Sequence, residues 1–392
     1  MEVKQFIKDK IFKDFPNYAL INELIRFLNN EGNNSIWNHE MLDMITKYKL
    51  GISEKDRIDR IKEKVKIIAD KIGYKYKFSE LLDVIQENEP FNVANNPLNF
   101  GHLSHVFNVF WLGYYIINNN LINIGDIDRT ILSGNTEEKK EKLNTAWIIT
   151  SLFHDIGLLG EKFEEIIKKL NSSTSIYPLE IIGSIDRIEE ISKYSDIDYF
   201  EGCLCGGNGI LIKKFKDALI SKIHDHGILS ALCVYDKFHT IEKKIIKYEI
   251  DYEVLHLVVQ AIGFHNLLEK DYTDNSTLDF NNFPLINLLI ICDTLETWDR
   301  SSGFESIYNE IQLKAIELQK LTVVGNYLKI EINYRLHPEI RYIPETMEKE
   351  IKKIRDLIEN KVEKILKSLV NIPKLDITFK IANRDTILTW KN

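Results

Sequence analysis

Between residues 100 and 305 the chain alternates strongly apolar segments with polar connectors. Apolar residues recur at three- and four-residue spacing in Leu103–Asn118, Asn144–Leu159, Gly227–Phe238, Tyr252–His265 and Leu285–Arg300. That period places them on one face of a helix. The connectors include a charged run, NTEEKKEK (Asn135–Lys142), which reads as a solvated face, and a Gly/Cys-rich stretch, EGCLCGGNG (Glu201–Gly209), which reads as a loop.

Both ends have a different texture. Residues 1–95 read as short amphipathic helices, such as Tyr18–Asn29 and Ile58–Ile72, and a turn-rich stretch, ENEPFNVANNPLNFG, then marks a boundary. In the tail, Leu321–Leu336 and Lys374–Asn383 alternate apolar and polar residues around a helical stretch from about Glu345 to Leu369. A small sheet backed by a helix follows from that pattern. The expected fold is therefore mainly α. It comprises an N-terminal helical region (1–95), a central helical bundle (96–305) and a small C-terminal α/β appendage (306–392).

Composition narrows the class. Hydrophobic residues make up 44% and charged residues 28% of 392, the balance of an ordinary globular protein. Net charge is −8 and the pI about 5.8, so general affinity for nucleic acid or anionic membrane is not expected. Four cysteines (Cys203, Cys205, Cys233, Cys292) make no disulfide framework at this length, and Cys233 and Cys292 fall in apolar runs as small hydrophobes. The first residues lack a signal-peptide core, and the longest apolar run, Pro284–Cys292, is too short to span a bilayer. The expected location is the cytoplasm.

The apolar helices carry the chemistry. His102 and His105 are three apart and share a face. His154 and Asp155 follow a nearly unbroken apolar helix, and His226 stands where the next one begins. His265 ends the fourth, in line with Ile262 and Val258, and Asp293 follows the most apolar stretch of the fifth. A carboxylate or imidazole buried against an apolar face costs free energy unless it is paired or bound to a metal. Six of them on five helices point to divalent cations, which neutralise the aspartates and use imidazole lone pairs. A nitrogen/oxygen set without thiolate suits Mn, Fe, Co, Ni, Zn or Mg. If two ions are bound, Asp155 is the natural bridge.

The remaining histidines read differently. His224 cannot share a helix face with His226, His256 lies opposite His265, and His39, His239 and His337 have no partner pattern. Cys203 and Cys205 lack a second pair for zinc, and Trp298 and Tyr235 read as core.

The ordered set His105, His154-Asp155, His226, His265 and Asp293 resembles the HD superfamily of metal-dependent phosphohydrolases. The segments LFHDIG, DHGILSALCVY and LLIICDTLETWDR are similar to a bacterial and archaeal branch ending in Asp-x-Leu-x-x-Trp-x-Arg. The resemblance implies an HD-type helical bundle. It also implies one ion on His105, His154, Asp155 and Asp293, and a second on Asp155, His226 and His265. It further implies hydrolysis of a phosphoester, expected to be that of a nucleotide, by a metal-activated water. Lys162 is the first candidate to meet the phosphate, although HDIGLLGEK spaces it further from the His-Asp pair than is common. Arg300, seven residues after Asp293, is the second. His102 is a candidate base or phosphate contact, or exchanges roles with His105. The HD-GYP signature of the usual cyclic di-GMP enzymes is absent. A deoxynucleotide triphosphohydrolase and a non-catalytic, metal-containing nucleotide sensor are the alternatives. A homo-oligomer or a protein partner would be engaged through the terminal regions.

Overall fold

The computed structural model describes residues 102–119, 121–127, 132–157, 225–242, 245–248, 250–271, 278–296, 313–336, 344–359, 364–367, 369–381 and 384–391. The expected N-terminal helices and both expected domain boundaries, near 95 and 305, lie outside them. The described residues form two compact units. One takes the chain up to Ile122, from Leu295 to residue 359, and from Pro373 onward. The other takes Asn123 to Thr294 and Lys364 to Ile372.

The second unit is the helical one. It contains α2 (Thr136–Phe153), α3 (His226–Phe238), α4 (Tyr252–Asp271) and α5 (Pro284–Leu295) apart from its last residue. The charged run is not a connector but the start of α2. Asn135 caps it, its Oδ1 accepting from the Glu137 and Glu138 amides at 3.0 and 3.1 Å, while Glu138 Oε2 accepts from the Asn135 amide at 2.9 Å. This reciprocal box, with two acidic residues in the first turn, matches the exposed amides and dipole of a helix N-terminus. Most of the run is solvated as expected. Lys139 is the exception, buried with its Nζ donating to the Ile127 carbonyl at 2.6 Å.

Similar logic starts the other helices. Asp225 Oδ1 accepts from the Gly227 amide ahead of α3, and Asp251 Oδ1 from the Glu253 amide ahead of α4. Pro284 opens α5, where its missing N–H is not needed. Helix α4 was expected to end at His265 but runs on to Asp271. No glycine or proline interrupts HNLLEKD, so nothing in the backbone stops it there. A short antiparallel hairpin, β1 (His239–Glu242) with β2 (Ile245–Tyr248), connects α3 to α4. Lys142 on α2 ties to Glu253 on α4 at 2.6 Å. Donating this hydrogen bond to Glu253 raises the lysine pKa, and the lysine together with the Ser133 amide outweighs burial to hold Glu253 below its usual value.

The core of this unit is large and apolar. Trp147, Ile149, Phe153, Ala231, Val234, Leu255, Val258, Ile262, Leu288 and Ile291 are essentially inaccessible, each large side chain contributing about 1.5–3 kcal/mol. His256 sits on α4 with Nε2 buried and without a hydrogen-bond partner among the described residues. Burial pushes its imidazole below the usual histidine range. The unfolded chain therefore takes up this proton first as pH falls. The stability from a neutral His256 is complete above an unfolded pKa of about 6.5 and is lost below it. The melting temperature in chelator is expected to fall less in His256→Leu than in wild type on going from about pH 7.5 to about 5.5. Parallel curves would show that His256 contributes nothing to the acid sensitivity.

In the other unit α1 (His102–Asn118) is nearly all buried from His105 to Ile117. The tail forms a four-stranded sheet of β4 (Leu313–Val324), β5 (Tyr327–Leu336), β7 (Lys374–Ile381) and β8 (Arg384–Lys391), in the order β4-β5-β7-β8. Strands β5 and β7 are parallel and the outer pairs antiparallel. The two-residue turn between β4 and β5 uses Gly325 at φ +64, a conformation an L side chain rarely takes. Burial alternates along β5 and β7, as the sequence pattern predicts for a half-buried sheet. The amphipathic α6 (Pro344–Leu357) packs on β5.

Two corrections apply to the tail. The helix expected to reach Leu369 stops short of it, and after the single turn α7 (Lys364–Lys367) Leu369–Val370 form β6, paired parallel with β3 (Leu278–Asp279). Backbone pairing to β3 satisfies groups that a helix end would leave open. The last strand, β8, was not anticipated, because RDTILTWK offers only a short alternating stretch. The described fold is thus mainly helical with small sheets. No described helix is long and apolar enough to cross a membrane.

Candidate metal centre

Five of the six predicted ligands lie in the helical unit. His154 and Asp155 come directly after the last turn of α2, with His154 fully buried and Asp155 partly so. The chain can leave the helix there because Gly157 lies against the start of α3. Its amide donates to Ser230 Oγ at 2.8 Å, and a Cβ at this position would stand 2.5 Å from the His226 carbonyl oxygen and 2.6 Å from the Ser230 nitrogen. Only a residue without a side chain permits so close an approach. His226 is the first residue of α3, His265 lies within α4 and Asp293 within α5. Helix α4 packs on both α2 and α3.

These residues converge on Asp155. His226 Nε2 is 3.3 Å and His265 Nε2 3.8 Å from Asp155 Oδ1, while His154 Nε2 is 3.5 Å from Asp155 Oδ2. Asp293 Oδ1 joins at 3.9 Å from His154 Nε2. The His265 ring stands 5.4 Å from that of His154 and 5.3 Å from that of His226, edge to face in both pairs.

Hydrogen bonds at the far side of two rings fix what Nε2 presents. His154 Nδ1 lies 3.0 Å from the Ser151 carbonyl and His265 Nδ1 2.6 Å from the Ile262 carbonyl. A carbonyl only accepts, so both Nδ1 atoms donate, and in a neutral ring the lone pair is then on Nε2. Each lone pair then faces an anionic carboxylate oxygen, which is repulsive unless a cation lies between. The separations fit one. Ligands about 2.0–2.2 Å from a tetrahedral ion lie about 3.4 Å from each other, and the nitrogen–oxygen distances here are 3.5–3.9 Å. One ligand atom each from His154, Asp155 and His265 lies within 4.8 Å of the others, so this buried group can hold a metal ion.

His105 belongs to the other unit, on α1. Its Nδ1 is hydrogen-bonded to the buried carboxylate of Glu296, which also accepts from Asn108 Nδ2 at 3.0 Å. The partner again forces Nδ1 to donate and leaves Nε2 as the basic atom, the arrangement usual for metal-binding histidines. Glu296 and Asn108 escaped the sequence reading. The signal available was spacing, since Asn108 follows His105 and Glu296 follows Asp293 by three residues each.

His102 opens α1, and nothing is described of its side chain. Lys162, Arg300, His224, Trp298, Cys203 and Cys205 lie outside the described residues. Tyr235 is buried, as core packing requires, and Cys233 is partly buried. Cys292 is wholly buried, and burial, with the neighbouring Asp293 charge, pushes its thiol well above the usual range. It is an inert packing residue, not a nucleophile. Compared with protein-family models, curated proteins and solved structures, the chain matches none.

Proposed function

We propose that the chain is a metal-dependent phosphohydrolase acting on a phosphoester, with a nucleotide as the substrate class the resemblance favours. The observation that carries the reading is the pair of lone-pair-bearing imidazoles, His154 and His265, facing the carboxylate of Asp155 in a buried cluster. In this reading His154, Asp155 and His265 hold the ion and Asp293 stands beside it. The resemblance adds His105 to that set. A divalent ion held there, from Mn, Fe, Co, Ni, Zn or Mg, supplies Lewis acidity toward a phosphoryl oxygen and lowers the pKa of a water.

The residues themselves do the rest. The Ser151 and Ile262 carbonyls hold the Nδ1 protons and keep both rings aimed, so that no ring has to reorient. Asp155 brings the negative charge that an ion and a phosphate together need to balance. Lys162 and Arg300 are the cations proposed to meet the phosphate.

The test is phosphate release from a panel of cyclic nucleotides, nucleoside mono-, di- and triphosphates and a generic diester, with each metal and with chelator. Turnover that chelator abolishes and one of these metals restores is the expected result. Turnover confined to deoxynucleoside triphosphates narrows the enzyme to a triphosphohydrolase. Metal-loaded protein that turns over nothing on the panel overturns the hydrolase and leaves a metal-containing sensor.

A further inference from the structure

The tail sheet has two unlike faces. Leu328, Ile330, Ile332, Leu375, Ile377 and Phe379 are buried on one of them. The alternate positions of the same strands point the other way. There the register sets Tyr327 beside Lys374, Lys329 beside Asp376 and Asp376 beside Lys391. Lys320 on β4 stands opposite Glu331, and Lys380 on β7 stands beside Asn333. This face is closed at one end, where Asn333 is fully buried. Toward the β4–β5 turn it is open. Lys320, Lys374 and Lys391 are exposed there, and Lys329 keeps 42% of its side chain accessible.

The charge of this face is opposite to that of the chain. Among the described side chains it carries five lysines (Lys320, Lys329, Lys374, Lys380 and Lys391) against two acids, Glu331 and Asp376, whereas the whole chain carries −8. The acids do not offset the lysines one for one. Asp376 Oδ2 is shared by Lys329 at 3.5 Å and Lys391 at 3.9 Å, and Glu331, paired with Lys380, also faces Lys320 in register. Lys391 and Lys374 then converge on the ring of Tyr327, their Nζ atoms 4.6 and 5.4 Å from its centroid. Lys329, Lys374 and Lys391 thus form one cluster around a single carboxylate and a single aromatic ring. Their mutual repulsion is relieved by an added anion. Exchanging partners costs these lysines little, because ion pairs in contact with water are weak.

Lysines alone would suit any polyanion, and the ring narrows the choice. An aromatic side chain bordered by cations on a flat, open sheet offers a base a stacking surface and the flanking phosphates their counter-charge. A duplex keeps the faces of its bases stacked on one another, so only an unpaired strand can use the ring. We propose that the open face of the β4-β5-β7-β8 sheet binds single-stranded nucleic acid, with Tyr327 stacking on a base and Lys329, Lys374 and Lys391 meeting the phosphates. The net charge still argues against general affinity for nucleic acid; this is a local site. It does not rest on the proposed metal centre and stands or falls apart from it.

The experiment is fluorescence anisotropy of labelled single strands about 12 nucleotides long, DNA and RNA of mixed sequence. They are titrated with the full chain in chelator, so that metal-dependent turnover does not consume the probe. Saturable binding of at least one probe is expected, with a slope of log affinity against log salt of about −2 for three neutralised phosphates. Lys374→Glu/Lys391→Glu is expected to weaken binding at least about tenfold and to flatten that slope. Tyr327→Leu is expected to weaken it about fivefold or more at unchanged slope. The same reversal at two exposed lysines of α6, Lys349→Glu/Lys352→Glu, is expected to leave binding as in wild type. Melting temperatures check that each variant is folded, and Lys374→Gln/Lys391→Gln replaces the reversal if it lowers stability. No binding of either probe at low salt, or equal binding by wild type and the tail double variant, overturns the proposal. So does a duplex bound as tightly as the single strands, or capture of phosphatidylserine vesicles without either oligonucleotide.

Discussion

Asp155→Ala is expected to abolish both metal binding and phosphoester turnover while leaving the apo-protein folded. Among the described residues, Asp155 is the one carboxylate that faces His154, His226 and His265 together. Without it the three imidazoles lose the carboxylate they share, and Asp293 faces only His154 among them. Losing a group that merely orients a ligand costs about 10–100-fold in metal affinity, so losing the shared ligand is expected to exceed that range. Stability separates this outcome from simple unfolding. An ion at a thousandfold excess over its Kd stabilises the native state by about 4 kcal/mol, and that metal-dependent rise in melting temperature is expected in wild type and absent in the variant. In chelator the two are expected to melt together, or the variant slightly higher, because the substitution removes a carboxylate facing two lone pairs. A variant that still shows the full metal-dependent rise would move the centre away from Asp155.

Gly157→Ala is expected to damage fold and site together. The added Cβ would meet the His226 carbonyl oxygen, the Ser230 nitrogen and Leu229 Cβ at 2.5, 2.6 and 2.7 Å. Two of these atoms are helix backbone and cannot rotate away, so the end of α2 and the start of α3 must separate. The hydrogen bond from the Gly157 amide to Ser230 Oγ is strained with them. Overpacking of this kind costs about 1–3 kcal/mol or more, and a strained buried hydrogen bond adds about 1 kcal/mol. His154 and Asp155 are three and two residues away and move with this turn. The expected result is a melting temperature lower by several degrees and metal affinity weaker by at least about tenfold. Unchanged stability and affinity would mean that the α2–α3 approach is looser than described.

The clustered histidines and aspartates were legible in the sequence because burial makes them conspicuous. A His-Asp pair after a run such as WIITSLF, or an Asp directly after LLIIC, stands out against the cost of burying charge. Helices α2 to α5 followed from the same periodicity, and the alternation in the tail gave β5 and β7. What the sequence hid is the set of groups that decide how each ring is used. The acceptors for His154 and His265 are backbone carbonyls three residues back, which any sequence would supply. Asp225, Asn266, Asn108 and Glu296 look like ordinary polar residues of caps and helix ends, and only the structure brings Asn266 to Asp225 and His226 across two helices. Lys139 was hidden for a related reason. Its long apolar stem lets one member of a charged run turn inward to a carbonyl while its neighbours stay in water. The strand β6 depends on pairing with β3, about ninety residues earlier, and no local pattern carries that information.

The most direct test of the central claim is the metal content of the purified full chain after reconstitution, read by elemental analysis with X-ray absorption at the metal edge. About one tightly held divalent ion per chain is predicted, in a nitrogen and oxygen environment that includes imidazole and lacks sulfur, and absent from Asp155→Ala. Folded wild-type protein that holds no ion after reconstitution would contradict the metal centre, and with it the reading of His154, Asp155 and His265 as ligands.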